Sequence, residues 1–350
     1  MRDRLASSLL SADLPWLYVD GNRVKALNGE PVVLRGFTLG EPEMPWPASD
    51  APPNGILEAA AASGANAIRV PIDRGRVLGA TDGLTPSGYV DLLDTVVGTA
   101  ADSGMWTVLS LASLDDTGVY GTTVDAQGHT VVERAAPQPD YDSVGMWHLL
   151  GERYSDEPAV LFDLYAAPRP AHADDVSGFR GDWDTWILWA RLAVAELRRT
   201  HPRALCLVSG HSAGTDVSGL PLLGTADAPI PNIVYGVRMT PRRSAPWPAV
   251  TALAARHPVL VTEWGTDGTA AVGGLERTAE LLRGAGIGWF ARDAHPGGTP
   301  PAIAGATPYP DRFGDIVRRA LALAADSPWA AANPAETTFH DRTGVAHGRR

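Results

Sequence analysis

One carboxylate and several guanidinium groups stand where chemistry would concentrate in this chain. Glu263 lies near the end of the apolar run VLVTEWG (259–265), Arg69, Arg238 and Arg292 lie at the ends of three other apolar segments, and Arg169 follows a fourth. If those segments finish on one face, a single carboxylate meets three or four guanidinium groups. Arginine stays charged at any relevant pH, so such a mouth would be locally positive. It would suit a carboxylate or phosphate ligand held by bidentate contacts. Glu263 would be kept ionised there, able to serve as a base rather than as an acid. Two other arrangements compete with this one. Arg238 and Arg292 would point outward and pair with Asp293, Asp115 or Asp116, as loop arginines commonly do. Glu263 would be a buried structural acid neutralised by Arg69.

Other motifs carry less. Residues 210–214, Gly-His-Ser-Ala-Gly, fit the Gly-x-Ser-x-Gly pattern of a serine nucleophile. That motif needs a following helix to back the serine, and residues 215–221 read as a loop by their Gly and Pro content. His211 and Ser212 are instead expected to line a pocket. The nine histidines show no metal-ligand spacing, so no metal and no other cofactor is expected. Of the eleven tryptophans, most should pack in the core. Trp183, Trp186 and Trp189 follow a helical spacing and read as a packing face, whereas Trp46, Trp264 and Trp289 are the pocket candidates.

These residues need a scaffold that brings segment ends together. Buried-looking strands are expected at 32–37, 67–70, 106–111, 159–165, 204–209, 232–237, 259–262 and 287–290. Helices should occupy 55–63, 89–103, 143–154, 183–200, 249–256, 274–284 and 313–325. Eight strands alternating with helices describe a (β/α)8 TIM barrel, whose chemistry sits at the C-terminal strand ends. Two turn signals, Asp20-Gly21 and Asn28-Gly29, predict a small N-terminal β-hairpin ahead of the first strand. Residues 1–326 are read as the barrel and 327–350 as a C-terminal tail without clear period.

Several framework segments resemble glycoside hydrolase family 5, the cellulase-like enzymes. They are PAVLFDLY (158–165), NIVYGV (232–237), VTEWG (261–265) and GIGWF (286–290), in the family's order. The resemblance spans roughly residues 15–325 and implies a TIM barrel with the hairpin closing its floor. It also implies that Glu263 holds the nucleophile position and that Arg69 matches an arginine beneath it. A retaining glycosidase needs two carboxyl groups about 5–5.5 Å apart. The family ends its fourth strand in Asn-Glu-Pro, with that Glu as general acid/base, and this chain has Ala166, Ala167 and Pro168 there. Alanine cannot protonate a leaving group. Ser110 and Ala112 replace the family's usual Asp and His, Arg238 and Thr240 its His and Tyr, and Arg292 a sugar-stacking Trp.

The resemblance therefore implies a glycosidase-like protein without retaining glycoside hydrolysis. Its cleft is expected to bind or convert a small metabolite, an anionic one included, by isomerisation, cyclisation or elimination if it is an enzyme. A non-catalytic carbohydrate-binding pseudoenzyme is the first alternative. A weak endoglucanase-like β-glycosidase is the second, with Glu263 as nucleophile and an acid borrowed from Glu41, Glu43, Asp115, Asp116 or Asp293. The partner is then a small-molecule or saccharide ligand. Among the 350 residues, 45% are hydrophobic and 20% charged, which suits a globular chain with a full core. The net charge of −11 disfavours nucleic acid and anionic membrane surfaces. A single cysteine, Cys206, excludes an intramolecular disulfide. Because residues 1–16 lack the apolar core of a signal peptide, a cytoplasmic location is expected, with secretion the alternative if the sequence has been trimmed.

Overall fold

A computed structural model describes residues 14–39, 54–79, 86–113, 121–124, 130–133, 138–166, 168, 183–240, 244–265, 272–292 and 312–325. Glu41, Glu43, Trp46, Asp115, Asp116, Ala167, Arg169, Asp293 and the tail 327–350 lie outside the described residues.

The chain enters through an antiparallel hairpin, β1 (Leu17–Asp20) and β2 (Arg23–Ala26), turning at Gly21. Eight parallel strands then close into a barrel. They are β3 (Arg35–Thr38), β4 (Ala67–Asp73), β5 (Trp106–Ser113), β8 (Val160–Asp163), β9 (Cys206–Ser209), β10 (Ile233–Met239), β11 (Val259–Trp264) and β12 (Gly288–Ala291). Closure comes from β12 pairing with β3. Between β5 and β8 the chain makes a second hairpin, β6 (Gly121–Val124) with β7 (Thr130–Glu133), which is not among the expected strands. The helices are α1 (Asn54–Ala62), α2 (Arg74–Leu78), α3 (Pro86–Asp102), α4 (Tyr141–Arg153), α5 (Trp183–Thr200), α6 (Trp247–Ala254), α7 (Val272–Ala285) and α8 (Arg312–Ala325). All eight expected strands and seven expected helices occur within a few residues of their expected bounds.

Alternation along the strands separates two cores. Val108, Leu161, Leu207, Val234, Leu260 and Phe290 point into the barrel and form an apolar plug with Leu17, Val24 and Ala26 of the hairpin. The hairpin thus closes the floor, as expected. Outward residues such as Ile68, Leu109, Phe162, Tyr235 and Val261 meet the helices in a larger shell. Trp186 is fully buried in that shell, and Trp183 and Trp189 are partly buried against it. Above the plug the inward residues become polar, as Arg69, Ser110 and Asp163 are, and the candidate site begins there.

Candidate active site

The deeper polar layer is a buried ion pair. Arg69 on β4 reaches Asp163 on β8, with Nε and Nη2 donating to Oδ2 at 3.0 and 2.8 Å. Ser110 on β5 completes the group: its hydroxyl receives Arg69 Nη2 at 2.7 Å and donates to Asp163 Oδ2 at 2.7 Å. Arg69 is 1% and Asp163 0% exposed. Strand alternation puts Asp163 inward, two residues beyond Leu161, and so directly above the plug.

This corrects one sequence expectation. The acid that neutralises Arg69 is Asp163, not Glu263. Asp163 was overlooked as a site residue. Its signal was present: a lone carboxylate inside the otherwise apolar strand VLFDLY needs a buried cation.

The upper layer is built around Glu263, itself only 1% exposed. Between β10 and β11 the register shifts after Val237, so Arg238 stands opposite Glu263 and skips Thr262. A bulge of this kind re-aims side chains beside active sites. It brings Nη2 of Arg238 against Oε2 of Glu263, while Nη1 of Arg292, just past β12, lies 3.0 Å from Oε1. These are charge contacts rather than aligned hydrogen bonds: neither glutamate oxygen receives an N–H in hydrogen-bonding geometry. Arg238 is buried, and the Arg292 side chain is 26% exposed. The two arginines therefore turn inward to Glu263, and the convergence expected from the strand ends occurs for this pair. Arg69 sits lower, occupied by Asp163.

The segment after β9 reaches across this mouth. Ser212, Ala213 and Gly214 take consecutive left-handed conformations, at φ 52°, 58° and 81°. Side chains disfavour that region by ~1–2 kcal/mol per residue. The turn is held on both sides. The Ala213 amide donates to the Pro168 carbonyl at 2.8 Å, a few residues past β8. A Cβ on Gly214 would lie 3.1 Å from the Arg238 amide nitrogen, so a glycine lets the turn approach β10. No helix follows to back Ser212, and Asp216 is engaged elsewhere, accepting from Trp183 Nε1 at 2.7 Å and from the Ser218 amide at 2.9 Å. The Ala213 amide, spent on Pro168, cannot serve an oxyanion. The Gly-x-Ser-x-Gly match is thus a tight turn at the mouth. His211 is buried there against the Trp183 ring, centroids 5.5 Å apart.

Ala112 and Ala166 are buried on β5 and just past β8, joined by an Ala166 amide to Leu111 carbonyl bond at 2.9 Å. Thr240 is buried beyond β10. The tryptophans differ from expectation. Trp264 and Trp289 are 0% and 2% exposed and pack edge-to-face at 4.9 Å, with Phe313 of α8 beside Trp264 at 5.5 Å. They occupy outward strand positions, so they fill the layer between sheet and helices rather than the mouth. Among the described residues no group of three or more His, Cys, Asp or Glu side chains is placed to hold a metal ion. No described helix is long and apolar enough to cross a membrane.

Comparison with known proteins agrees with this architecture. The barrel superposes on a β-glucanase from Saccharophagus degradans solved with cellotetraose, at 17% identity and a TM-score of 0.68, over 90% of this chain and 96% of that one. It superposes similarly on the catalytic domain of a Thermobifida fusca endoglucanase, also solved with cellotetraose, at 16% identity and a TM-score of 0.64, over 87% and 97% of the two chains. The catalytic domain of the major endoglucanase of Xanthomonas campestris gives 16% identity and a TM-score of 0.61, over 87% and 99%. At these identities the likeness establishes the fold. No curated protein matches the sequence. The family profile described as Cellulase (glycosyl hydrolase family 5) matches residues 26–237, more than half of the chain, ending before the strand that carries Glu263. On that match and this barrel, the chain belongs to the cellulase family, glycosyl hydrolase family 5.

Proposed function

We propose that this family member does not hydrolyse glycosides by the retaining route and that its cleft binds a small anionic ligand, a carboxylate or phosphate. The observation that carries this reading is the state of Glu263. Both of its oxygens face guanidinium groups, from Arg238 and Arg292. A nucleophile must bring one oxygen to the anomeric carbon, and a proton donor must stand opposite. Here each oxygen is held in an ion pair, and the sequence after β8 reads Ala166-Ala167, with no carboxylate to supply the proton. Loss of a general acid alone typically removes about 10² to 10⁴ in rate. Two arginines at the top of a barrel otherwise rich in acidic residues are suited to bidentate capture of a small anion. A conversion of that ligand without hydrolysis, with Glu263 as base, falls within the same reading.

A second reading is a saccharide-binding pseudoenzyme. It is favoured by the fold shared with two enzymes solved with cellotetraose. Two measurements separate the readings. Carboxymethylcellulose, mannan and cello-oligosaccharides should show no turnover. Thermal-shift titration with phosphate, citrate and cellotetraose should give stabilisation by the anions, with the shift removed in Arg238→Ala. A ligand at 100 times its Kd stabilises by ~2.7 kcal/mol, which such a titration resolves. A shift with cellotetraose alone, intact in Arg238→Ala, selects the saccharide reading. Turnover near ~1 s⁻¹ that vanishes in Glu263→Gln restores the glycosidase.

A further inference from the structure

Glu263 occupies the position that an incoming anion would need. Its carboxylate bridges Arg238 and Arg292, with one oxygen to each. It is buried, yet neither oxygen receives an aligned N–H. A guanidinium presents five N–H donors in a rigid fork and binds a carboxylate or phosphate best through two parallel bonds. The tethered carboxylate of Glu263 reaches the forks through one nitrogen each, Nη2 of Arg238 and Nη1 of Arg292. A small anion free to rotate can align with a fork in a way the tethered group does not. The arginines are meanwhile anchored: the bulge fixes Arg238 opposite β11, and the Ser212–Gly214 turn is packed against its backbone.

We propose that Glu263 is the resident counter-ion of an anion site, and that it competes with an incoming carboxylate or phosphate for the same two guanidinium groups. This rests on the anion-binding reading of the cleft and gives it a direction. Glu263 offsets charge on the buried Arg238 and the partly exposed Arg292 while no ligand is bound, and its removal tightens anion binding. A carboxylate that served as nucleophile or ligand-contacting base would behave in the opposite way, since its removal would weaken the site.

The test uses the full chain and its Glu263→Ala and Glu263→Gln variants at low ionic strength. Acetate and inorganic phosphate are titrated by calorimetry and by thermal melting. Glu263→Ala should melt lower than the wild type, recover with millimolar acetate or phosphate, and bind them at least tenfold more tightly. Glu263→Gln, which keeps the side-chain volume, should show tighter phosphate binding as well. In Glu263→Ala/Arg238→Ala the gain should disappear. If Glu263→Ala is insoluble, Glu263→Gln carries the affinity comparison. Equal or weaker anion binding in the glutamate variants, with wild-type binding that depends on Arg238, overturns the counter-ion assignment and leaves the anion cleft standing. Absence of any anion effect in the wild type and in both glutamate variants overturns both.

Discussion

Substituting Asn for Asp163 tests the buried pair directly. The change is nearly isosteric, so the plug beneath it keeps its packing and the main effect is electrostatic. In the native barrel Arg69 places two N–H donors on one oxygen of Asp163, and Ser110 donates a third hydrogen bond to it. The side chains of Arg69 and Asp163 are 2% and 0% exposed, so solvent cannot take over when the charge is removed. Breaking a buried pair in this way typically costs ~3–5 kcal/mol, because a charged group remains without its counter-charge. With an unfolding entropy of ~2.1 cal/mol/K per residue, a chain of this size loses about 4–7 °C in Tm. The assay is thermal or chemical unfolding of Asp163→Asn, Arg69→Met and the double variant. The double-mutant cycle should return a coupling energy of at least ~2 kcal/mol between Arg69 and Asp163. The corresponding cycle for Arg69 and Glu263 should return little. A large Arg69–Glu263 coupling with a small Arg69–Asp163 coupling would refute the two-layer arrangement and restore the pairing expected from the sequence.

Other perturbations follow from the same geometry. His201 is 1% exposed between Trp16 and Phe162, and burial pushes its pKa from 6.5 down to about 4. The unfolded chain takes up this proton first, so stability should fall as pH drops from about 6.5 toward 4. His201→Phe should flatten that part of a Tm-against-pH curve, and an unchanged slope would assign it to other groups. Ala213→Gly relieves a side chain held at φ 58° and should leave Tm unchanged or raise it slightly, whereas Gly214→Ala meets the Arg238 backbone at 3.1 Å and should lower both Tm and anion affinity. Equal effects of the two substitutions in melting experiments would deny the turn its left-handed conformation.

The sequence by itself determined the scaffold. Strand-length apolar runs between amphipathic helices specify a parallel barrel, because parallel strands must be covered on their outer face. The turn signals around Gly21 specified the floor hairpin, and the segments 158–165, 232–237, 261–265 and 286–290 carried the resemblance to the family. The alanines at 166 and 167 were legible in the sequence without coordinates. What sequence could not decide was which charges meet. Arg69, Arg238 and Arg292 all lie at strand ends, and both Asp163 and Glu263 were available to them. Only closure of the barrel assigned Arg69 to Asp163, since that choice depends on the height of each side chain along the axis. Only the register shift after Val237 set Arg238 opposite Glu263. Trp264 and Trp289 were misplaced for a related reason. Side-chain direction alternates along a strand, so one position moves a residue from the mouth to the helix layer, and the bulge that sets this phase is a property of the paired strands rather than of either segment alone.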